Sequence, residues 1–188
     1  MGFQLFTDRL NLVASTLELA IAEMSDLEAF AKLLDVPRPP TWPPPLNDEG
    51  SQQHFLASLQ KAGPKDAGWN LWFCILLRPR EIVGVAGFKD GPSNGVAEIG
   101  YSMLEPHQGK GYCTEAVRSL VSWAFGNPAV NVIAADTFSE VTRSIRVVEK
   151  CGFKFAGDGP IEDGRRTIRY ELTREQFDLF FANSGFNK

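Results

Sequence analysis

Apolar residues recur along this chain either at every second position or at every third and fourth, and each change of period predicts a change of element. Thr7 to Ala14 sets Leu10, Leu12 and Ala14 on one face and Arg9, Asn11 and Val13 on the other, which predicts a strand. Thr16 to Leu34 carries Leu19, Ala20, Met24, Leu27, Phe30 and Leu34 at helical spacing, with a break near Ser25 and Asp26, so one bent helix or two follow. Residues 36–48 hold six prolines, which remove amide donors and forbid regular helix, leaving a semi-rigid loop around Trp42. Helical spacing returns over Asp48 to Ala62 and ends at the cluster Gly63, Pro64 and Gly68. Trp69 to Leu77 and Glu81 to Phe88 are apolar runs split by Arg78, Pro79 and Arg80, a hairpin pattern, and Val96 to Leu104 follows as a third run.

The second half repeats the logic. Ala116, Val117, Leu120, Val121 and Ala124 form one stripe of a helix over Cys113 to Phe125, Asn127 and Pro128 stop it, and Val130 to Thr137 reads as a buried strand. Thr142 to Cys151 predicts another helix, capped by Gly152. Phe153 to Ala156 and Arg166 to Leu172 are the last strand candidates, and residues 174–182 a short terminal helix.

Composition narrows the class without naming a function. A length of 188 residues with 44% apolar content fits one globular domain over 1–188. The formal charge of −4 gives no overall attraction to nucleic acid or an anionic membrane. Cys74, Cys113, Cys151, His54 and His107 lie far apart with no metal-ligand spacing, so no metal is expected. The odd cysteine count, with neither a signal-like segment nor a membrane-length apolar run, predicts a cytoplasmic protein.

The candidate chemistry begins where the run ending in Tyr101, Ser102, Met103 and Leu104 meets EPHQGKGYCTEA and then an amphipathic helix. A strand that enters a glycine loop opening a helix presents unpaired amides at the positive end of the helix dipole, a site for phosphate or pyrophosphate. Gly109 and Gly111, lacking Cβ, let that backbone approach closely. A P-loop needs Ser or Thr after G-K, where Gly111 stands, and a dinucleotide fingerprint needs a third glycine, where Thr114 stands. The alternative is that the glycines only make a tight turn.

EIGYSMLEPHQGKGYCTEAV resembles the cofactor loop of the GNAT N-acetyltransferases, in the wording of the RimJ/RimL-like branch. TDRLNL at 7–12 resembles that branch's first strand, EIVGVAGF at 81–88 its central hairpin, and SIRVVEKCGF at 144–153 its penultimate helix and strand. The resemblance implies an α/β (α+β) fold with a mixed, mostly antiparallel sheet of six to seven strands. Helices would cover both faces, and strands four and five would splay apart. It implies acetyl-CoA as acyl donor, with the pantetheine arm against the backbone near Tyr101, Met103 and Leu104. The pyrophosphate would lie on amides of Gln108, Gly109, Lys110, Gly111, Tyr112, Cys113 and Thr114. The family's loop opens on Gln or Arg where this chain has Pro106, which bears on loop shape more than on anion capture.

Direct transfer to an amine needs a neutral nucleophile and a proton for the departing thiolate. The resemblance makes Glu98 the candidate base, acting through water, with a salt-bridged strand glutamate as the alternative. Many members carry an acidic tyrosine where this chain has Val148, and an asparagine where it has Val141, but Ser144 is kept. Ser144 is therefore the candidate acid, with a helix-start hydrogen bond as the alternative. Cys113 is expected to pack rather than react, and His107 to be an exposed loop residue. The loop holding Trp42 is the expected wall of the acceptor pocket, although Trp42, Trp69 and Trp72 also suit core or homodimer contacts. The expected partner is an amine, a peptide N-terminus or a small molecule. A non-catalytic acyl-CoA sensor that lost the asparagine and the tyrosine is the competing class.

Overall fold

The computed structural model describes residues 3–63, 66–162 and 164–184, so Pro64 of the expected helix stop lies outside the described residues. Eight strands form one sheet in the order β1-β2-β3-β4-β5-β6-β8-β7. They are β1 (Gln4–Phe6), β2 (Leu10–Ala14), β3 (Leu71–Leu77), β4 (Arg80–Phe88), β5 (Val96–Met103), β6 (Val132–Thr137), β7 (Lys154–Glu162) and β8 (Arg165–Thr173). The helices are α1 (Leu17–Ser25), α2 (Leu27–Leu33), α3 (Glu49–Lys61), α4 (Tyr112–Phe125), α5 (Thr142–Lys150) and α6 (Arg174–Ser184). The count exceeds the expected six to seven because β1, only three residues long, gains its register from β2 and has too little pattern to be read alone.

The alternating strands divide their side chains between two cores. Leu10, Leu12 and Ala14 of β2 join the cluster under α4, while Val13 joins Phe30, Phe73 and Val85 under α1 and α2. The break near Ser25 is real and makes two helices. Asp26 closes α1 and caps α2, its carboxylate accepting from Glu28 N and Ala29 N. Trp69 and Trp72 are core residues: both pack against Trp123, Trp69 tilted and Trp72 edge-on, and Trp72 Nε1 donates to Gly68 O at 2.8 Å.

All strand pairs are antiparallel except β5 with β6, which need the crossover through α4 to run parallel. That parallel pair holds for only three positions, Val96, Ala97 and Glu98 against Val132, Ile133 and Ala134. Beyond Glu98, β5 pairs only with β4, and beyond Ala134, β6 pairs only with β8. The sheet therefore parts at its centre, between the fourth and fifth strands of the expected fold.

Candidate active site

The parted strands open a backbone edge. Leu104 N donates to Val83 O, and Glu98 O accepts from Lys89 N, so even-numbered residues of this stretch turn their backbone groups toward β4. By the alternation of the ladder, the amide and carbonyl of Tyr101 face the gap. Leu104 is different from the expectation: its amide is taken by Val83, its carbonyl accepts from His107 N, and its side chain is buried.

After β5 the chain makes one 3-10 turn, Glu105–His107, with Pro106 in its first positions where no amide is required, so the unusual proline is accommodated. Gln108 Nε2 returns to Met103 O at 3.0 Å, and Arg143 Nη1 of α5 donates to Gln108 Oε1 at 2.6 Å. Gly109 and Gly111 both adopt left-handed backbone, with φ of 75° and 85°. Gly111 is the N-cap of α4 and has no side chain to satisfy the first amides, so they point outward at the positive helix end. The loop is tied from behind. Glu115 accepts from Thr7 Oγ1 at 2.6 Å, Arg9 N at 2.9 Å and Arg9 Nε at 2.7 Å, and Arg9 Nη1 reaches Lys110 O at 3.1 Å. Burial acts to raise the Glu115 carboxyl, but these hydrogen bonds and the Arg9 charge hold it below its ordinary value.

A cleft of about 680 Å3 joins these parts. It gathers Tyr101, Met103, Gln108, Gly109, Gly111, Tyr112, Cys113, Thr114 and Ser144, together with Pro45 and Leu46 from the proline loop. Tyr101 Oη donates to Ser144 O at 2.9 Å across the gap, and burial pushes the phenol well up, so it stays protonated. The Cys113 thiol is likewise raised well above its ordinary value by burial, which agrees with a packing role. His107 departs from the expected exposed loop residue: it lines the cleft, half-buried, with Nδ1 lacking a hydrogen-bond partner among the described residues. Its ring lies against Tyr112 across the loop, which draws it in.

Three cations of α5, Arg143, Arg146 and Lys150, also line the cleft. Sequence reasoning missed them, although their spacing of three and four puts them on one helical face. Val148 turns the other way and is 1% exposed in the core, while Val141 lines the cleft as the uncapped start of α5.

Neither Glu98 nor Trp42 is among the residues lining the cleft. Glu98 holds the last paired position before the strands part, is ion-paired with Lys89, and shares that lysine with Glu162. Beside it Asp136 carries a carboxyl raised first by burial and then by the Glu98 charge. Trp42 packs on Phe30 and Phe73 and donates Nε1 to Glu23 at 3.0 Å, so it anchors the proline loop from beneath.

Comparison with known proteins agrees with this geometry. Residues 16–154 match the family model described as an acetyltransferase (GNAT) domain. An uncharacterized N-acetyltransferase of Bacillus subtilis is 37% identical over 87 residues, 46% of this chain and 52% of the relative. The kanamycin resistance protein of Rhizobium radiobacter is 36% identical over 85 residues, 45% of this chain and 78% of the relative. The match spans about half the length of the first two curated relatives. Among solved structures, the ribosomal-protein-S5-alanine acetyltransferase of Vibrio fischeri superposes with a TM-score of 0.67 at 15% identity, covering 94% of this chain and 99% of that one.

Proposed function

The chain belongs to the acetyltransferase (GNAT) family, and on that premise we propose that it moves an acetyl group from acetyl-CoA directly to a primary amine. The acceptor is the α-amine of a protein N-terminus or the amine of a small molecule. The observation that carries this reading is the continuity of the gap between β5 and β6 with the uncapped glycine loop at the start of α4. The gap suits an extended thioester arm bonded to the Tyr101 backbone, and the free amides suit the pyrophosphate at its end. The cations of α5 add further donors for a polyanionic donor substrate.

Glu98, at the apex where the strands part, takes the proton from the attacking ammonium through water, leaving a lone pair free to attack. The Ser144 hydroxyl supplies the proton that the departing thiolate needs, and the Tyr101 phenol, by donating to the Ser144 backbone carbonyl, holds that residue beside the gap. Placing both reactants in one cleft supplies the remainder through orientation.

The test incubates the protein with acetyl-CoA and a panel of peptides and small amines, kanamycin among them, while free thiol and product mass are followed. Acetylated product is expected. Glu98→Gln is expected to lower kcat/KM by about 10²-fold at neutral pH and flatten the acidic limb of its profile. Ser144→Ala is expected to lower kcat with little change in KM. A second reading, an acyl-CoA sensor, draws support from Val148, which stands in the core where many relatives have an acidic tyrosine. Tight CoA binding without product from any amine would favour it.

A further inference from the structure

Leu46 is 62% exposed at the end of the cleft, yet its backbone is among the most firmly held in the proline loop. Its amide donates to Ser102 Oγ of β5 at 3.3 Å. The next residue, Asn47, is buried, its amide donating to Pro44 O at 2.9 Å and its Nδ2 to Glu23 Oε1 at 2.9 Å. Asp48 then caps α3 through Ser51 N. Glu23 itself, on α1 and 6% exposed, also receives Trp42 Nε1, so one carboxylate oxygen clamps the loop at two points five residues apart. A leucine held at the cleft on a backbone tied at both sides offers fixed apolar area, and a bound group that covers it gains free energy in proportion to the area removed from water. Around Leu46, Pro45, Tyr101 and Met103 continue the apolar wall, and Ser102 has its oxygen occupied by the Leu46 amide.

We propose that Leu46 selects the acceptor, favouring an amine with an apolar group beside the reacting nitrogen, and that Glu23 is the positioning residue that holds Leu46 at the cleft. The proposal deepens the amine-acetylation reading above and rests on it. Glu23 touches no reactant; its carboxylate meets the loop at Trp42 and Asn47 and also Gln52 of α3, the helix that the loop leads into. Trp42, the residue that sequence reasoning assigned to the acceptor, belongs to the same clamp as a structural anchor.

The test is binding, so that it does not depend on turnover. The protein is saturated with CoA, which first reports that each variant keeps its fold and its cofactor half. 2-Phenylethylamine or ethanolamine is then titrated in calorimetrically, the two differing only in the group beyond a common ethylamine. The wild type is expected to bind the phenyl compound about tenfold more tightly, the amount that covering part of a leucine side chain supplies. Leu46→Asp is expected to abolish that discrimination. Glu23→Ala is expected to reduce it, Glu23→Gln to restore it because the amide oxygen accepts the same two hydrogen bonds, and Glu23→Ala to add nothing to Leu46→Asp. If Glu23→Ala does not fold, Trp42→Phe, which deletes one of the two clamp bonds, takes its place.

Discrimination that survives in Leu46→Asp, effects of the two sites that simply add, or a CoA-saturated wild type that binds neither amine would overturn the proposal. Discriminating binding without acetylation from acetyl-CoA would remove the transfer reading and leave this one standing.

Discussion

Glu115 shows how a single carboxylate sets the shape of a loop it does not belong to. It lies in the first turn of α4, yet its partners are Thr7 and Arg9 in the turn between β1 and β2, and Arg9 continues to the Lys110 carbonyl and stacks over the Tyr112 ring at 4.6 Å. The bonds therefore run from the first strand pair to the glycine loop. Because the folded carboxyl titrates below its ordinary value of 4.5, its contribution to stability is present above that value and is lost as the pH falls through the depressed folded value. Glu115→Gln is expected to cost about 1–2 kcal/mol at pH 7, given three hydrogen bonds and a half-exposed arginine partner. The difference in melting temperature from wild type should shrink on acidification from pH 7 to pH 4. A constant difference across that range would mean that the charge is irrelevant. Glu23 has the opposite sign: burial raises its carboxyl despite the hydrogen bonds from Gln52, Trp42 and Asn47, so its ionised form is a cost at neutral pH and a proton relieves it.

At the level of elements, α4 and its loop were the most legible part of the chain, because an unbroken apolar stripe follows two glycines and neither feature needs tertiary context to be recognised. The parting of β5 from β6 was foreseen only through resemblance, since nothing in the residues themselves says where a parallel ladder stops. The apolar pattern of β7 ends at Ala156, but the strand extends to Glu162. Gly157, Gly159 and Pro160 interrupt its pattern, and the structure carries them as register shifts on an edge strand. The site divides in the same way. Its backbone half was visible in Gly109 and Gly111, while the cationic face of α5 and the Glu23 clamp depend on which helix face meets the gap and which loop folds over it. Gly111→Ala tests the element directly. Its φ of 85° costs a residue with a Cβ about 1–2 kcal/mol, and the new methyl would stand 3.3 Å from Arg9 Nη2. The expected outcome is a higher KM for acetyl-CoA with kcat largely kept, measured by initial rates. A fall in kcat at unchanged KM would mean that the loop serves the chemistry rather than the cofactor.

On the scale of the whole molecule, an acidic chain of net charge −4 places three of its cations, Arg143, Arg146 and Lys150, on the single helix face that borders the cleft. Long-range attraction of a polyanionic donor must then arise locally, from α5 and the N-terminal end of α4, and not from the net charge. Such attraction is screened by salt in proportion to its exposure, and Arg143, Arg146 and Lys150 are exposed. CoA present at about a hundredfold above its Kd is expected to stabilise the protein by about 2.7 kcal/mol, seen as a rise in melting temperature. That rise should shrink as NaCl goes from about 0.05 to 0.5 M, a range over which the screening length falls from about 14 to about 4 Å. Arg146→Glu should flatten the salt dependence as well as weaken binding, because it removes a cation and adds a repulsive charge on the same face. Pantetheine, which shares the thiol arm but lacks the phosphates, should show no salt dependence in either protein. Equal salt slopes for CoA in wild type and Arg146→Glu would remove Arg146 from the attraction and leave it to Arg143, Lys150 and the α4 amides.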